Sequence, residues 1–358
     1  MIDLSKESTK DSASTDDKVV TMTDVAKAAG VGVATVDRVI NRRARVRPET
    51  AKKVLAAAEA LGFVRTGLIK DRINDNTAGH RLGFLLQKTS EFYNELGQAL
   101  SDATQTQTLS LGRCVVSFLD DLTPTSVVKA LMSLSKKVDA IALVAADHPL
   151  ISQAISDLRL RGIPTFALVS DLSSQDCAGF VSVDHRMMGR SAAWTMSQQL
   201  PAKSKIGLMI GSHRYLCQEQ AEIGFRSYLR EHAPQVHLLE TLTNLEDHRL
   251  AENATLELLK QHPDLAGLYV AGSGIEGVVN ALKEHPSTTT RPLTICHDLT
   301  PFSRAALING QISMVLSHPN DWMATKLIDA MCTAIKQPQQ HSRYQVLLPH
   351  VTYTAANV

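Results

Sequence analysis

The chain has 358 residues, 44% of them hydrophobic and 20% charged, with a formal net charge of +1. That is enough apolar material for buried cores in two or three globular units, which excludes a chain disordered throughout. The longest uncharged run, Ala305–Asn320, is interrupted by Asn309, Gly310, Gln311 and Asn320, so no stretch supplies the roughly 18–20 apolar residues of a membrane helix.

Residues 1–19 are polar and of mixed charge and lack an apolar core segment; a disordered tail is expected, and not a signal peptide. Residues 20–63 carry three short helical patterns. Thr21 followed by Asp24 predicts a capped helix start, and Gly30 its end. The second pattern, Val33–Asn41, sets Val36, Val39 and Ile40 at helical spacing. The third opens at Pro48 and closes at Leu61-Gly62, with proline in the first turn and glycine just past the end. Residues 64–79 are polar, contain Gly67 and Gly79, and read as a linker.

From Leu82 the texture changes. Short apolar runs alternate with amphipathic segments: Leu82–Leu86, Cys114–Leu119, Ala140–Val144, Thr165–Val169, Phe180–Val183, Lys205–Ile210, Gly267–Val270 and Leu293–Cys296. Between most of them lie helical patterns such as Val127–Ser135, Ile151–Leu160, Ala221–Glu231 and Leu250–Gln261. This alternation predicts parallel sheet with helices on both faces, and residues 80–358 are too many for one such sheet, so two lobes are expected.

Charge is unevenly divided. Residues 20–72 hold eleven Lys or Arg against five acids, a net +6, which leaves −5 for the remainder. A small basic module joined to a larger acidic body points to a polyanionic partner. Ala29-Gly30-Val31-Gly32 joins the first two helices as in a helix-turn-helix, whose second helix enters a major groove. Val33 and Ala34 suit thymine methyls and Arg38 suits guanine or phosphate. Arg42, Arg43, Arg45 and Arg47 follow directly and suit phosphates.

The run Thr21–Asn41, then Val46–Thr50 and Ala57–Phe63, resembles the headpiece of the lac-repressor (LacI/GalR) family. The resemblance implies a homodimeric, cytoplasmic transcription regulator, expected to be a repressor, bound to a pseudo-palindromic double-stranded DNA operator. It also implies a small all-α helix-turn-helix domain followed by a two-lobed α/β domain like that of periplasmic binding proteins, with a sugar or sugar derivative as effector in the interlobe cleft. By position Val33, Ala34, Thr35 and Arg38 match the family's base-contacting residues and Asn41 its backbone-contacting asparagine. Thr21, Asp37, Arg42, Arg47 and Arg72 complete the candidate DNA-contacting set. Asp37 stands where the family usually has serine, and Arg65, Thr66 and Arg72 where it has a Pro-Asn pair and a wedging leucine. A minor-groove arginine, Arg72, would replace that wedge.

In open α/β sheets ligands bind at the carboxyl ends of strands. Sugars are held by carboxylates, amides and a stacked aromatic ring. On that logic the candidate effector residues are Phe92, Tyr93, Asp147, Ser170, Asp171, Asp184, Gln220, Ser273, Asp298 and Ser317. Ala221 and Ser317 replace an arginine and a glutamine of the family. His213, Arg214 and Tyr215 also follow a strand and are placed to substitute.

Two other readings remain. Gly272-x-Gly274-x-x-Gly277 after an apolar run fits an NAD(P)-dependent dehydrogenase, or else a strand-to-helix turn facing the cleft. A solute sensor without a DNA role is the second, and the +6 segment counts against it. There is no GxSxG, HExxH or Walker sequence and no i,i+4 histidine pair beside an acid, so no hydrolase, nucleotidase or metal site is expected, and the regulator reading calls for no cofactor. The five scattered cysteines, without CxxC, fit a reducing compartment.

Overall fold

The computed structural model describes residues 20–41, 46, 48–63, 66, 79–88, 90–106, 111–284, 291–338 and 342–358. The chain divides into two compact units, residues 1–79 and 80–358. Among the described residues no helix is long and apolar enough to cross a membrane.

The first unit holds three helices, α1 (Met22–Ala29), α2 (Val33–Asn41) and α3 (Pro48–Ala60). Thr21 and Asp24 form a reciprocal capping box, with the Thr21 hydroxyl 2.7 Å and its backbone N–H 2.9 Å from Asp24 Oδ2. Gly30 adopts φ 66°, a left-handed conformation that costs glycine little, and Val31 N–H then returns to the Ala26 carbonyl at 3.0 Å. Gly62 repeats the device at φ 66°, and Phe63 N–H returns to Ala58 at 2.9 Å. The core is Val25, Ala26, Val36, Val39, Ile40, Ala51, Val54, Ala57, Ala58 and Phe63. Each helix contributes a stripe at helical spacing, so none is stable without the others.

The second unit contains two six-stranded sheets. The first has the order β11-β5-β4-β3-β1-β2 and the second β12-β10-β9-β8-β6-β7. Its strands are β1 (His80–Gln87), β2 (Leu111–Leu119), β3 (Ala140–Leu143), β4 (Thr165–Leu168), β5 (Gly179–Val183), β6 (Lys205–Ile210), β7 (His237–Thr243), β8 (Leu265–Val270), β9 (Leu293–His297), β10 (Met314–Ser317), β11 (Tyr344–Leu348) and β12 (Val351–Tyr353). Every pairing is parallel except β10 with β12. Strands β3, β4 and β5 are buried at every position, as continuous apolar runs in a doubly covered sheet should be. Four strands lie outside the apolar runs singled out from sequence. Three of them, β7, β11 and β12, are edge strands with exposed positions, which removes the continuous apolar signature. The fourth, β10, is only four residues long.

The helices are α4 (Glu91–Thr106), α5 (Pro124–Leu134), α6 (Pro149–Leu160), α7 (His185–Gln199), α8 (Leu216–His232), α9 (His248–Gln261), α10 (Ile275–Glu284), α11 (Pro301–Ile308) and α12 (Asn320–Lys336). The chain passes between the sheets three times: between β5 and α7, between β10 and α12, and between β11 and β12. Helices α7 and α8 cross through glycines, since a Cβ on Gly189 would lie 2.0 Å from the Ala221 carbonyl oxygen and one on Gly224 2.1 Å from that of Arg186.

Candidate functional site

In the first unit the buried side of α2 is Val36, Val39 and Ile40, and its opposite side presents Val33, Ala34 and Arg38 to solvent. Val33 is 43% exposed. Thr35 and Asp37 flank this face half-buried. Thr21 is spent on the α1 cap. The side chain of Asn41 and residues Arg42, Arg47 and Arg72 lie outside the described residues. A convex helix face with short apolar side chains and one arginine has the chemistry for thymine methyls and a guanine edge.

In the second unit the carboxyl ends of β4, β6, β8, β9 and β10 converge on a cleft between the lobes, closed on the first-lobe side by the start of α4. Of the nominated effector residues, Phe92, Tyr93, Ser273 and Asp298 line it. Phe92 and Tyr93 are buried and meet edge to face, centroids 5.0 Å apart. Asp298 takes φ 63°, accepts from the His318 backbone N–H at 3.1 Å, and lies 2.6 Å from His318 Nδ1. Burial pushes the Asp298 carboxyl up, yet the charge and hydrogen bonds of His318 outweigh this and hold it below the usual range. His318 in turn touches His185, Nε2 to Nε2 at 3.1 Å. Burial drives His297 down to about 3, and its Nε2 sits 2.6 Å from the Tyr269 hydroxyl. Burial likewise raises Tyr93 well above its ordinary value, with the carboxylates Glu246 and Asp298 adding to the shift.

The structure also brings in residues that were not nominated: His185, Gln218, Glu246, His297, Thr300 and His318. Gln218 Oε1 accepts from the backbone N–H groups of Gly211 and Ser212 at 2.7 and 2.9 Å, and its Nε2 donates to Glu246 at 2.5 Å. Gln220, two residues on, is exposed, because 200° of helical turn carries it to the far side of α8. Glu246 follows β7, the edge strand that the apolar pattern missed.

Other nominated residues stand outside the cleft lining. Asp171 is bound to Arg343, and Asp184 caps α7 by accepting from Met187 N–H at 3.0 Å. Ser317 Oγ accepts from Leu299 N–H at 3.1 Å and faces a neighbouring groove. Asp147 and Ser170 hold the lobes to each other. Asp147 N–H donates to the Arg214 carbonyl at 2.8 Å, and Ser170 Oγ accepts from Cys217 N–H at 3.4 Å. Tyr215 adds a third such contact, accepting from Gln87 Nε2 at 3.0 Å, while His213 pairs with Glu222 at 2.9 Å.

The glycines of Gly272-x-Gly274-x-x-Gly277 are accounted for by packing. Gly274 takes φ 103° beside Asn244, and a Cβ on Gly277 would lie 1.8 Å from the His248 carbonyl oxygen where α9 crosses α10. A larger hollow of about 250 Å3 sits toward the amino ends of β4, β5 and β11, where ligands of open sheets do not bind. Its arginines, Arg159 and Arg343, are already engaged by Asp176 and Asp171.

Comparison with known proteins matches each of the two units to a described family. Residues 21–66 match the family described as bacterial regulatory proteins, lacI family, and residues 83–339 match the periplasmic binding protein domain. The HTH-type transcriptional regulator MalR of Streptomyces coelicolor is 32% identical over 215 residues, 57% of either chain, so the chain spans somewhat over half of that relative. The maltose regulon regulatory protein MalI of Vibrio furnissii is 37% identical over 98 residues, 26% of this chain and 70% of that one. A solute-binding protein of an ABC transporter from Burkholderia graminis, solved with D-arabinose, superposes with a TM-score of 0.70 at 15% identity, covering 78% of this chain and 96% of that one, a likeness of fold. The chain belongs to the lacI family of bacterial regulatory proteins, its helix-turn-helix followed in sequence by a two-lobed periplasmic-binding-type domain.

Proposed function

We propose that the chain is a DNA-binding transcription regulator that works in the cytoplasm as a homodimer on a two-fold-related operator, with a small carbohydrate-like effector in its interlobe cleft. The observation that carries the DNA role is the division of α2 into a buried stripe and an exposed face of Val33, Ala34 and Arg38. Thr35, Asp37, Asn41, Arg42, Arg47 and Arg72 are proposed to extend this surface, the arginines as phosphate or minor-groove contacts. The relatives named as regulators support the reading.

The effector role rests on the cleft. Phe92 and Tyr93 offer ring faces, while Asp298, Glu246, Gln218 and Ser273 offer hydroxyl partners. The cavity is about 60 Å3, far below the roughly 300–1,000 Å3 of ligand pockets, so the lobes must part to admit a sugar. An effector that favours one separation of the lobes shifts DNA affinity by its differential affinity for the two arrangements.

Selection of random duplexes by the full chain tests the first half. A two-fold-related site should be enriched, and Arg38→Ala should weaken binding to it about 5- to 150-fold, the range for one lost bidentate base contact. Failure to enrich any site refutes the DNA role. Thermal-shift screening with neutral pentoses, hexoses, polyols and sugar phosphates tests the second half. A shift that Asp298→Ala abolishes supports the cleft assignment, and one that survives in that variant refutes it.

A further inference from the structure

Among the described residues the cleft wall carries three carboxylates, Glu246, Glu276 and Asp298, and neither lysine nor arginine. An adjoining hollow of about 260 Å3 shares Ser90, Glu246, Gly274 and Glu276 with the cleft and adds a fourth carboxylate, Glu91. Its lysine, Lys88, is paired with Asp120 at 3.0 Å.

Asp298 meets the His318 ring at 2.6 Å, but no cation meets the other two carboxylates of the wall. Glu276 makes no hydrogen bond or ion pair with another described residue. Glu246 accepts from the neutral carboxamide of Gln218, whose oxygen is committed to the backbone of Gly211 and Ser212. Glycines make room for that carboxylate, since a Cβ on Gly211 would lie 1.7 Å from Glu246 Oε1 and one on Gly272 3.2 Å from it. Leu245 and Glu246 both take left-handed backbone, φ 53° and 63°, to deliver it. Burial raises Tyr93, Tyr215 and Cys217, and the charge of Glu246 raises each of them further. Two histidines of the wall do not answer this charge, because burial holds His185 well below its ordinary value and His297 at about 3.

We propose that the cleft takes a cationic, hydroxylated effector, an amino sugar or amino polyol whose ammonium is held by Glu246 and Glu276, and that it rejects phosphorylated sugars. The inference rests on the effector reading above and narrows it. Phe92 and Tyr93 fit the same ligand, since ring faces attract a cation as well as stack on a sugar. Closing the lobes takes water from Glu246 and Glu276, and a neutral hydroxyl returns hydrogen bonds without a counter-charge. An ammonium supplies that charge. It therefore favours the closed arrangement over the open one more strongly than a neutral ligand of the same shape. A phosphate would instead bring about two further negative charges against the carboxylates.

Isothermal titration of the full chain with matched ligands tests this at about pH 6.5, where the amines carry their proton. The sets are glucose, glucosamine and glucose 6-phosphate; galactose and galactosamine; and glucitol and glucamine. The amine should bind about tenfold or more tightly than its neutral parent, the worth of one charged hydrogen bond, and the phosphate should give no binding heat. Glu246→Gln and Glu276→Gln keep shape and an acceptor but remove charge, so each should lower the amine-to-neutral ratio. A neutral or phosphorylated ligand that binds as tightly as its amine overturns the charge assignment and leaves the effector reading standing. A preference for the amine that survives both substitutions overturns it as well. Absence of binding by every ligand refutes the effector reading and this inference together. Should Glu246→Gln fail to fold, Glu276→Gln, which has no described partner to lose, decides the comparison.

Discussion

Substituting Gly224 by alanine tests whether the α7–α8 crossing is limited by backbone. A Cβ there would sit 2.1 Å from the Arg186 carbonyl oxygen and 2.9 Å from its carbon, whereas real Cβ atoms essentially never come within 3.0 Å. The helices must therefore separate by about 1 Å, because a peptide group cannot rotate aside as a side chain can. Alanine favours a helix interior over glycine by about 1 kcal/mol, so an unobstructed site would gain stability. Overpacking costs about 1–3 kcal/mol, and because backbone must move here the upper part of that range, about 2–3 kcal/mol, applies, which leaves an expected net loss of about 1–2 kcal/mol. Because α8 also carries Gln218, whose side chain holds Gly211 and Ser212, the shift should loosen the cleft end of β6 as well. Urea unfolding of the full chain reads the loss as a lower midpoint, and hydrogen exchange at residues 211–212 reads the loosening. A Gly224→Ala chain as stable as wild type, or more stable, would show that the crossing has slack and refute the reasoning.

Asp298→Asn and Asp298→Ala should differ. Asparagine tolerates the left-handed backbone and keeps an acceptor, so a loss of about 1.5–3 kcal/mol is expected, whereas alanine removes the acceptor of the His318 ring and backbone N–H and strains the left-handed backbone, and should lose about 1–2 kcal/mol more; equal losses in urea unfolding would contradict the pairing. Ile40, fully enclosed in the headpiece core, should cost about 2–4 kcal/mol as alanine and abolish DNA binding by unfolding its helices, while Arg38→Ala leaves circular dichroism unchanged; a folded Ile40→Ala headpiece that still binds would contradict the core assignment. Operator affinity should fall steeply with salt, as expected for arginines that displace counterions, and a flat response in fluorescence anisotropy would contradict phosphate anchoring.

Local signals were readable without the fold. The capping pair Thr21 and Asp24, the left-handed glycines Gly30 and Gly62, and the proline that opens α3 each act within a few residues of themselves, so their meaning survives in the linear order. The same holds for α2, where Val36, Val39 and Ile40 declare the buried side and so expose Val33 and Arg38. Strands covered on both faces announced themselves as apolar runs. The edge strands β7, β11 and β12 did not, because half-solvated positions admit polar residues, and with β7 unseen the following turn that delivers Glu246 was missed, whereas the edge strand β2 kept enough apolar residues to be seen.

The interlobe cleft was legible only where a residue's direction is tied to its own strand end, as for Asp298 and Ser273, or to a helix start, as for Phe92 and Tyr93. Helical phase relative to a distant lobe decided that Gln218 rather than Gln220 turns inward. The reach of Arg343, 172 positions along the chain, decided that Asp171 is occupied. The meeting of His185 with His318 across 133 positions has no trace in composition or periodicity. Amino-acid order determined where the helices of the first unit start and stop, the exposed face of α2 and the alternation that makes two largely parallel sheets, since these depend on neighbours along the chain. The tertiary structure alone decided which polar groups share the cleft and the hinge, since three separate passages between the sheets must be brought side by side before those groups can touch.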